Sequence, residues 1–167
     1  MISERRQTVK QTNVGLDKID FQIITQLQQN SRLSFHRLAN RTGVSIGTVF
    51  NRVKALESKG VLKGYTITLD SVKVGYELTA ITLMQVEGGH LVETENEIAK
   101  TPHVVAVYEL MGDYDAAIIT KSRDIQELNI FIKKVLAHPY VRRTYTTIAL
   151  NVIKEDPQIS LLACQQK

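Results

Sequence analysis

Between Thr42 and Tyr65 the chain reads TGVSIGTVFNRVKALESKGVLKGY, and its polar residues recur at spacings that suit contact with a polyanion. Val49, Val53 and Leu56 stand at i, i+4 and i+7, which is one stripe of a helix. With Val49 at zero and about 100° per residue, Gly47, Thr48, Asn51, Lys54 and Ser58 fall on the opposite side, and Arg52 on its flank. Small residues permit close approach, amides and hydroxyls match base edges, and cations meet phosphates. This outer face therefore has the chemistry of a helix lying in a DNA major groove. Arg37 and Arg41, just upstream, add cations, and Ser45 at the start of the helix joins the expected DNA contacts. A solvated surface helix also has a polar outer face, so this helix alone does not decide the matter.

The elements that must position those residues can be read on either side. Ser45 follows the Gly43 turn and stands where a hydroxyl caps a helix. Upstream, LDKIDFQIITQLQQN (16–30) puts Leu16, Ile19, Ile23, Ile24 and Leu27 on one helical face, with Asp17 as cap and Asp20 at the capping-box position. A short helix from Ser34 through Leu38 and Ala39 to Arg41 follows, so Thr42-Gly43-Val44 is a tight connector. Gly60 supplies a stop, and Lys63-Gly64 a turn into Tyr65–Leu69, which alternates like a half-buried strand. Three helices and a glycine-marked strand predict a winged helix-turn-helix over 16–64, with a wing, linker and hinge over 65–77.

Charge agrees. Residues 1–64 hold eleven Lys or Arg against four acids, and the remainder holds ten against thirteen. The net +4 is thus a +7 segment joined to a −3 segment, as expected when one domain meets phosphate and the other does not. The first fifteen residues, with Arg5, Arg6 and Lys10, read as a flexible arm, and residues 156–167 as a tail.

With 167 residues and 43% hydrophobic content, the chain has room for two small domains with modest cores. No apolar run approaches a membrane span of about 20 residues, and the N-terminus is polar, so a cytoplasmic protein is expected. The single cysteine, Cys164, excludes an internal disulfide and a CxxC metal pair.

The second half changes rhythm. Leu78–Val86 reads as a strand, 90–101 as a helix, Val104–Leu110 and Asp115–Thr120 as strands, a helix capped by Asp124 follows, and a long strand runs from Val141 to about Ile153. The order βαββαβ over 78–155 predicts a ferredoxin-like domain, so the fold class is α+β. Two helices cover one sheet face, and the simplest cover for the other is a second copy. An RNA-recognition module shares this order but stacks bases on strand aromatics, and Val105-Ala-Val-Tyr-Glu-Leu does not match that motif. No phosphate loop, no nucleophile and base at a recognisable spacing and no His or Cys cluster is present. No enzymatic activity, metal or cofactor is therefore expected.

LDKIDFQII, LSFHRLANRTGVS and VFNRVKALESKGVLKGYTITLD, followed by a βαββαβ domain with Gly112-Asp113-Tyr114-Asp115 between its middle strands, resemble the Lrp/AsnC (feast/famine) transcription regulators over about residues 16–153. The resemblance implies a partnership with double-stranded DNA, a homodimer formed through the sheets, and further assembly into tetramers or octamers. It also implies a free amino-acid effector bound between subunits. The implied effector site comprises Gly112, Asp113, Tyr114 and Asp115 with hydroxyls of Thr144, Thr146 and Thr147. A carboxylate suits the ammonium group of such a ligand, and N–H or hydroxyl donors its carboxylate. Strand alternation turns Thr144 and Thr146 to one side and Thr147 to the other. The alternative is a metabolite-sensing or structural oligomer whose N-terminal helices dock a protein.

Overall fold

The protein is described here by a computed structural model that covers residues 15–161; Arg5, Arg6, Lys10 and Cys164 lie outside the described residues. The chain divides into two units. One runs to Ile67 and takes in the chain again from Asp156, and the other spans Thr68–Glu155.

In the first unit, α1 is Lys18–Gln29, α2 is Phe35–Thr42 and α3 is Ile46–Ser58. Each begins where a side-chain oxygen meets free amides. Asp17 accepts from the Ile19 and Asp20 amides while Asp20 accepts from the Asp17 amide, completing the expected capping box. Ser34 accepts the Arg37 amide at 3.3 Å, and Ser45 the Thr48 amide at 3.1 Å. Two glycines end helices in the left-handed region, Gly43 at φ 71° and Gly60 at φ 68°. At the second, the Gly60 and Val61 amides donate to the Glu57 and Leu56 carbonyls, a Schellman closure in which a Cβ costs about 1–2 kcal/mol. Ile23, Ile24 and Leu27 of α1, Leu38 and Ala39 of α2, and Val49, Val53 and Leu56 of α3 form the core, with Leu33 beside them. Burial of each large aliphatic side chain contributes about 1.5–3 kcal/mol, enough to hold three helices across very short turns.

The wing differs from expectation. Tyr65–Leu69 forms no strand, and Tyr65, Ile67 and Leu69 are exposed. Alternation makes a segment competent for a ladder, but a ladder also needs a partner strand, and among the described residues none is paired with this segment.

The second unit contains β1 Leu78–Val86, α4 Leu91–Ala99, β2 Val104–Glu109, β3 Ala116–Ser122, α5 Ile125–Leu136 and β4 Val141–Ile148. The strands lie in the order β2-β3-β1-β4, all antiparallel, so the expected βαββαβ architecture forms. Register sorts the two faces. Ala80, Thr82 and Met84 stand opposite Thr120, Ile118 and Ala116, and all six are buried. Leu91 and Ile98 of α4 and Leu128, Phe131 and Val135 of α5 complete that core. The alternate residues Ile81 and Leu83 pair with Ile119 and Ala117 on one side and Thr147 and Tyr145 on the other.

Two strand limits shift for one reason. The last strand, expected to reach about Ile153, stops at Ile148, and the Ala149 amide makes the final bond, to the Thr79 carbonyl at 2.8 Å. Its neighbour β1 starts at Leu78, so later residues have nothing to pair with, and Leu150 and Ile153 are exposed. Conversely β3 runs past Thr120 to Ser122 because Ser122 is the partner of Leu78. Among the described residues no helix is long and apolar enough to cross a membrane.

Candidate nucleic-acid interface and effector site

On α3 the three-residue core stripe leaves Ile46, Gly47, Phe50, Asn51, Lys54 and Ser58 exposed. Among the described residues the Asn51 side chain has no hydrogen-bond partner, so its amide is available. Lys54 reaches Glu57 at 3.3 Å, an exposed pair that a phosphate can replace at little cost. A Cβ on Gly47 would meet only the Ser45 hydroxyl, at 3.9 Å, so nothing within the chain demands glycine there. Arg37 is exposed on α2, while Arg41 donates to Gln26 Oε1 at 2.7 Å. Ser45 and Thr48 are partly occupied with each other: besides the cap, their hydroxyl oxygens lie 2.9 Å apart.

Arg52 is placed differently from the expected phosphate contact. Its guanidinium donates to Asp17 and, at 3.0 Å, to Asp20, the two carboxylates of the α1 capping box. The Asp17 carboxyl is held below its ordinary range, chiefly by that hydrogen bond from Arg52, and Arg52 is correspondingly raised. Helical spacing correctly put Arg52 on a flank, but it could not show that α1 runs along that flank with its acidic cap alongside.

The second candidate site surrounds the β2–β3 hairpin. Asp115 is anchored: its amide donates to the Met84 carbonyl at 2.9 Å, and its Oδ2 accepts the Val86 amide at 2.8 Å. This falls where the β1–β4 register shifts between Gln85 and Val86, so the carboxylate satisfies an amide that the ladder leaves over. The Asp113 carbonyl accepts from Gln85 Nε2 at 2.6 Å, and the Asp113 side chain is exposed, as is Gly112. Tyr114 is half-buried. Thr144 is the partner of Met84 and Thr146 of Thr82, with the Thr82 and Thr146 hydroxyl oxygens 3.0 Å apart. The loop and Thr144 therefore both lie beside the end of β1, and Thr146 beside Thr82 farther back along the strand. Thr147 does not join them: it pairs with Ile81 on the opposite sheet face.

One residue was not singled out from the sequence. Glu95 of α4 buries its Oε1 with no hydrogen-bond partner among the described residues, and its carboxyl is pushed up by burial, then by the charges of Glu109 and Asp115. The signal was present: Glu95 lies on the apolar stripe of Leu91, Thr94 and Ile98, where an acid needs a reason. Among the described residues no group of three or more His, Cys, Asp or Glu is arranged for a metal ion.

A three-helix unit with an exposed polar face on its third helix, in one chain with a ferredoxin-like domain, is the architecture of a DNA-binding regulator with a ligand-binding domain. Comparison with known proteins gives the particular family. Residues 16–63 match the winged helix-turn-helix DNA-binding family, and residues 79–159 the Lrp/AsnC ligand binding domain. The chain is 41% identical over 141 residues to an uncharacterized HTH-type transcriptional regulator of Pyrococcus furiosus, covering 84% of this chain and 95% of that one. It is 31% identical over 147 residues to the HTH-type transcriptional regulator Ptr1 of Methanocaldococcus jannaschii, covering 87% and 99%. Its fold superposes with a TM-score of 0.81 on a transcriptional regulator from Neisseria meningitidis crystallised with L-Met, at 26% identity over 89% of this chain and 99% of that one. The chain belongs to the Lrp/AsnC family of transcriptional regulators.

Proposed function

We propose that the chain reads double-stranded DNA with the outer face of α3, acts as a homodimer or higher oligomer in the cytoplasm, and is modulated by a free amino acid at the β2–β3 loop. Asn51 contacts base edges, Lys54 and Arg37 contact phosphate, and Gly47 allows close approach of the helix to the groove. Ser45, Thr48 and Arg52 hold the reading head together, with Arg41 a secondary phosphate contact. The observation that carries this reading is the separation of roles on α3: its capping and flanking groups are satisfied within the chain, while the Asn51 side chain has no partner among the described residues and stands at the centre of an exposed face in the basic segment. Two such helices, joined through their second units, would meet successive major grooves about 34 Å apart.

The effector reading rests on the ligand-binding family match and the charge arrangement. Asp115 keeps Oδ1 available beyond its bond to Val86, and Glu95 brings a second carboxyl toward it. An ammonium group placed there would offset the burial, and the lesser repulsion from Glu109 and Asp115, that raise Glu95. Gly112 and Thr144 would supply donors for the ligand carboxylate. Binding at this junction would alter assembly and hence how many half-sites are held at once.

Two titrations test the proposal. A labelled promoter fragment should bind with affinity that falls steeply with salt; absence of binding, or binding indifferent to salt, rejects the DNA reading. A thermal-shift screen of the twenty amino acids, with oligomer mass measured in parallel, tests the effector; no shift with any of them rejects it.

A further inference from the structure

Phe35 and Phe50 are large apolar residues exposed on the DNA-reading side of a basic domain. Their relative exposures are 38% and 45%, and they meet edge to face with centroids 5.7 Å apart and an interplanar angle of 83°. Neither joins the core formed by the three helices. Phe50 lies about 100° round α3 from Val49, between the buried stripe and the reading face where Lys54 and Asn51 stand at about 140° and 200°. The opposite flank carries Arg52, committed to α1. One flank of the recognition helix is therefore an ion pair, and the other is an aromatic pair with nearly half of one ring in water.

An exposed phenyl ring has nothing to offer a phosphate. The major groove, however, presents one apolar group, the 5-methyl of thymine. We propose that Phe50 reads a thymine methyl beside the base contacted by Asn51, and that Phe35 is a positioning residue that fixes the Phe50 ring. The edge-to-face contact restricts the ring before DNA arrives, so less side-chain freedom is lost on binding. This rests on the reading that α3 enters the major groove, and it adds a specific base preference that charge and hydrogen bonding do not supply.

The test uses the full-length protein and a duplex selected from a random pool. Each thymine of the selected half-site is replaced singly by deoxyuridine, which removes only the methyl. For wild-type protein, one such replacement per half-site should weaken binding about fourfold, the change corresponding to one buried CH₂-sized group. Phe50→Ala should be indifferent to the same replacement, Phe50→Leu should retain part of the discrimination, and Phe35→Ala should lose discrimination with an unchanged salt slope. The wild-type measurement needs no variant to fold. Duplex binding that is indifferent to every thymine methyl overturns the proposal while leaving the regulator reading intact. A methyl preference that survives in Phe50→Ala also overturns it. Failure to select any duplex removes the underlying reading itself.

Discussion

Arg52 on the third helix donates to the buried carboxylate of Asp20 on the first, at 3.0 Å, and so ties the reading helix to the cap that starts the domain. The pair links residues 32 positions apart, and Asp20 also accepts the Asp17 amide. Arg52→Ala leaves Asp20 buried beside Asp17 with no cation. The expected loss is about 1–3 kcal/mol of stability, the range for an unsatisfied buried polar group, read by urea denaturation of the free protein. The salt slope of DNA binding should stay unchanged. A slope that falls while stability holds would return Arg52 to the phosphate-contacting set.

Lys54→Ala should behave oppositely. Its ion pair with Glu57 is exposed and one helical turn away, so stability should change by less than about 0.5 kcal/mol. Binding should weaken alike on all sequences, with the slope of log affinity against log salt reduced by about one. Asn51→Ala should instead cost about 1–3 kcal/mol at the preferred site and little elsewhere. Competition titrations with selected and unrelated duplexes separate the two effects.

What the sequence disclosed and what it withheld differ in kind. Periodicity and caps were sufficient for α1, α2 and α3, because Asp17, Ser34, Ser45 and Gly60 act on amides and carbonyls within a few residues of themselves. The βαββαβ order was legible because each element carries its own apolar pattern. Strand ends were less so: Ile148 and Ser122 mark where a neighbour's backbone stops or continues, which depends on register across sequence separations of tens of residues. The same holds for the sites. The outer face of α3 follows from angle alone. The commitment of Arg52 to α1, the anchoring of Asp115 by Val86 and the approach of Glu95 to Glu109 all require tertiary packing.

Asp115→Asn separates the structural role of that side chain from the effector-binding role proposed for it. An amide oxygen still accepts the Val86 amide, so the bulge and the free protein should persist, with a stability change of about 1 kcal/mol or less. The negative charge is gone, so an amino acid should bind at least about tenfold more weakly, as expected when a charge-assisted hydrogen bond worth about 1.5–3 kcal/mol is lost. Calorimetry with the amino acid identified by thermal shift provides the check. Undiminished binding would remove Asp115 from ammonium recognition.

Glu95 predicts a pH dependence. Burial, aided by Glu109 and Asp115, raises its folded-state pKa above the ordinary 4.5, so the folded chain holds the proton more tightly than the unfolded one. The stabilisation from that proton is complete below about pH 4.5 and is lost as pH rises through the elevated folded value. Glu95→Gln is neutral throughout. It should therefore melt a few degrees higher than wild type at pH 7–8 in the absence of effector, with the difference shrinking as pH falls toward the ordinary carboxylate range. A difference that is constant with pH would assign the effect to packing rather than charge.

The sheet face opposite α4 and α5 leads to the last prediction. Ile81 is 42% exposed, and it pairs with Thr147 on one side and Ile119 on the other; Tyr108 and Tyr145 are also exposed on this face, at 58% and 56%. Such a row across the sheet, from edge strand to edge strand, is what a second sheet would cover in a homodimer. Ile81→Lys adds a charge to the middle of that face while leaving the unit's own core, on the other side of β1, untouched. The folded monomer should tolerate it, since strand substitutions of this kind span about 1 kcal/mol. The buried interface should not, because an unpaired ammonium there meets apolar side chains with no compensating partner. Sedimentation should then show a folded monomer. DNA affinity should fall by at least about a hundredfold, because two linked reading heads gain roughly 10² to 10⁴ in avidity over one. A dimer that survives Ile81→Lys and Tyr145→Glu together would place the subunit contact on another surface.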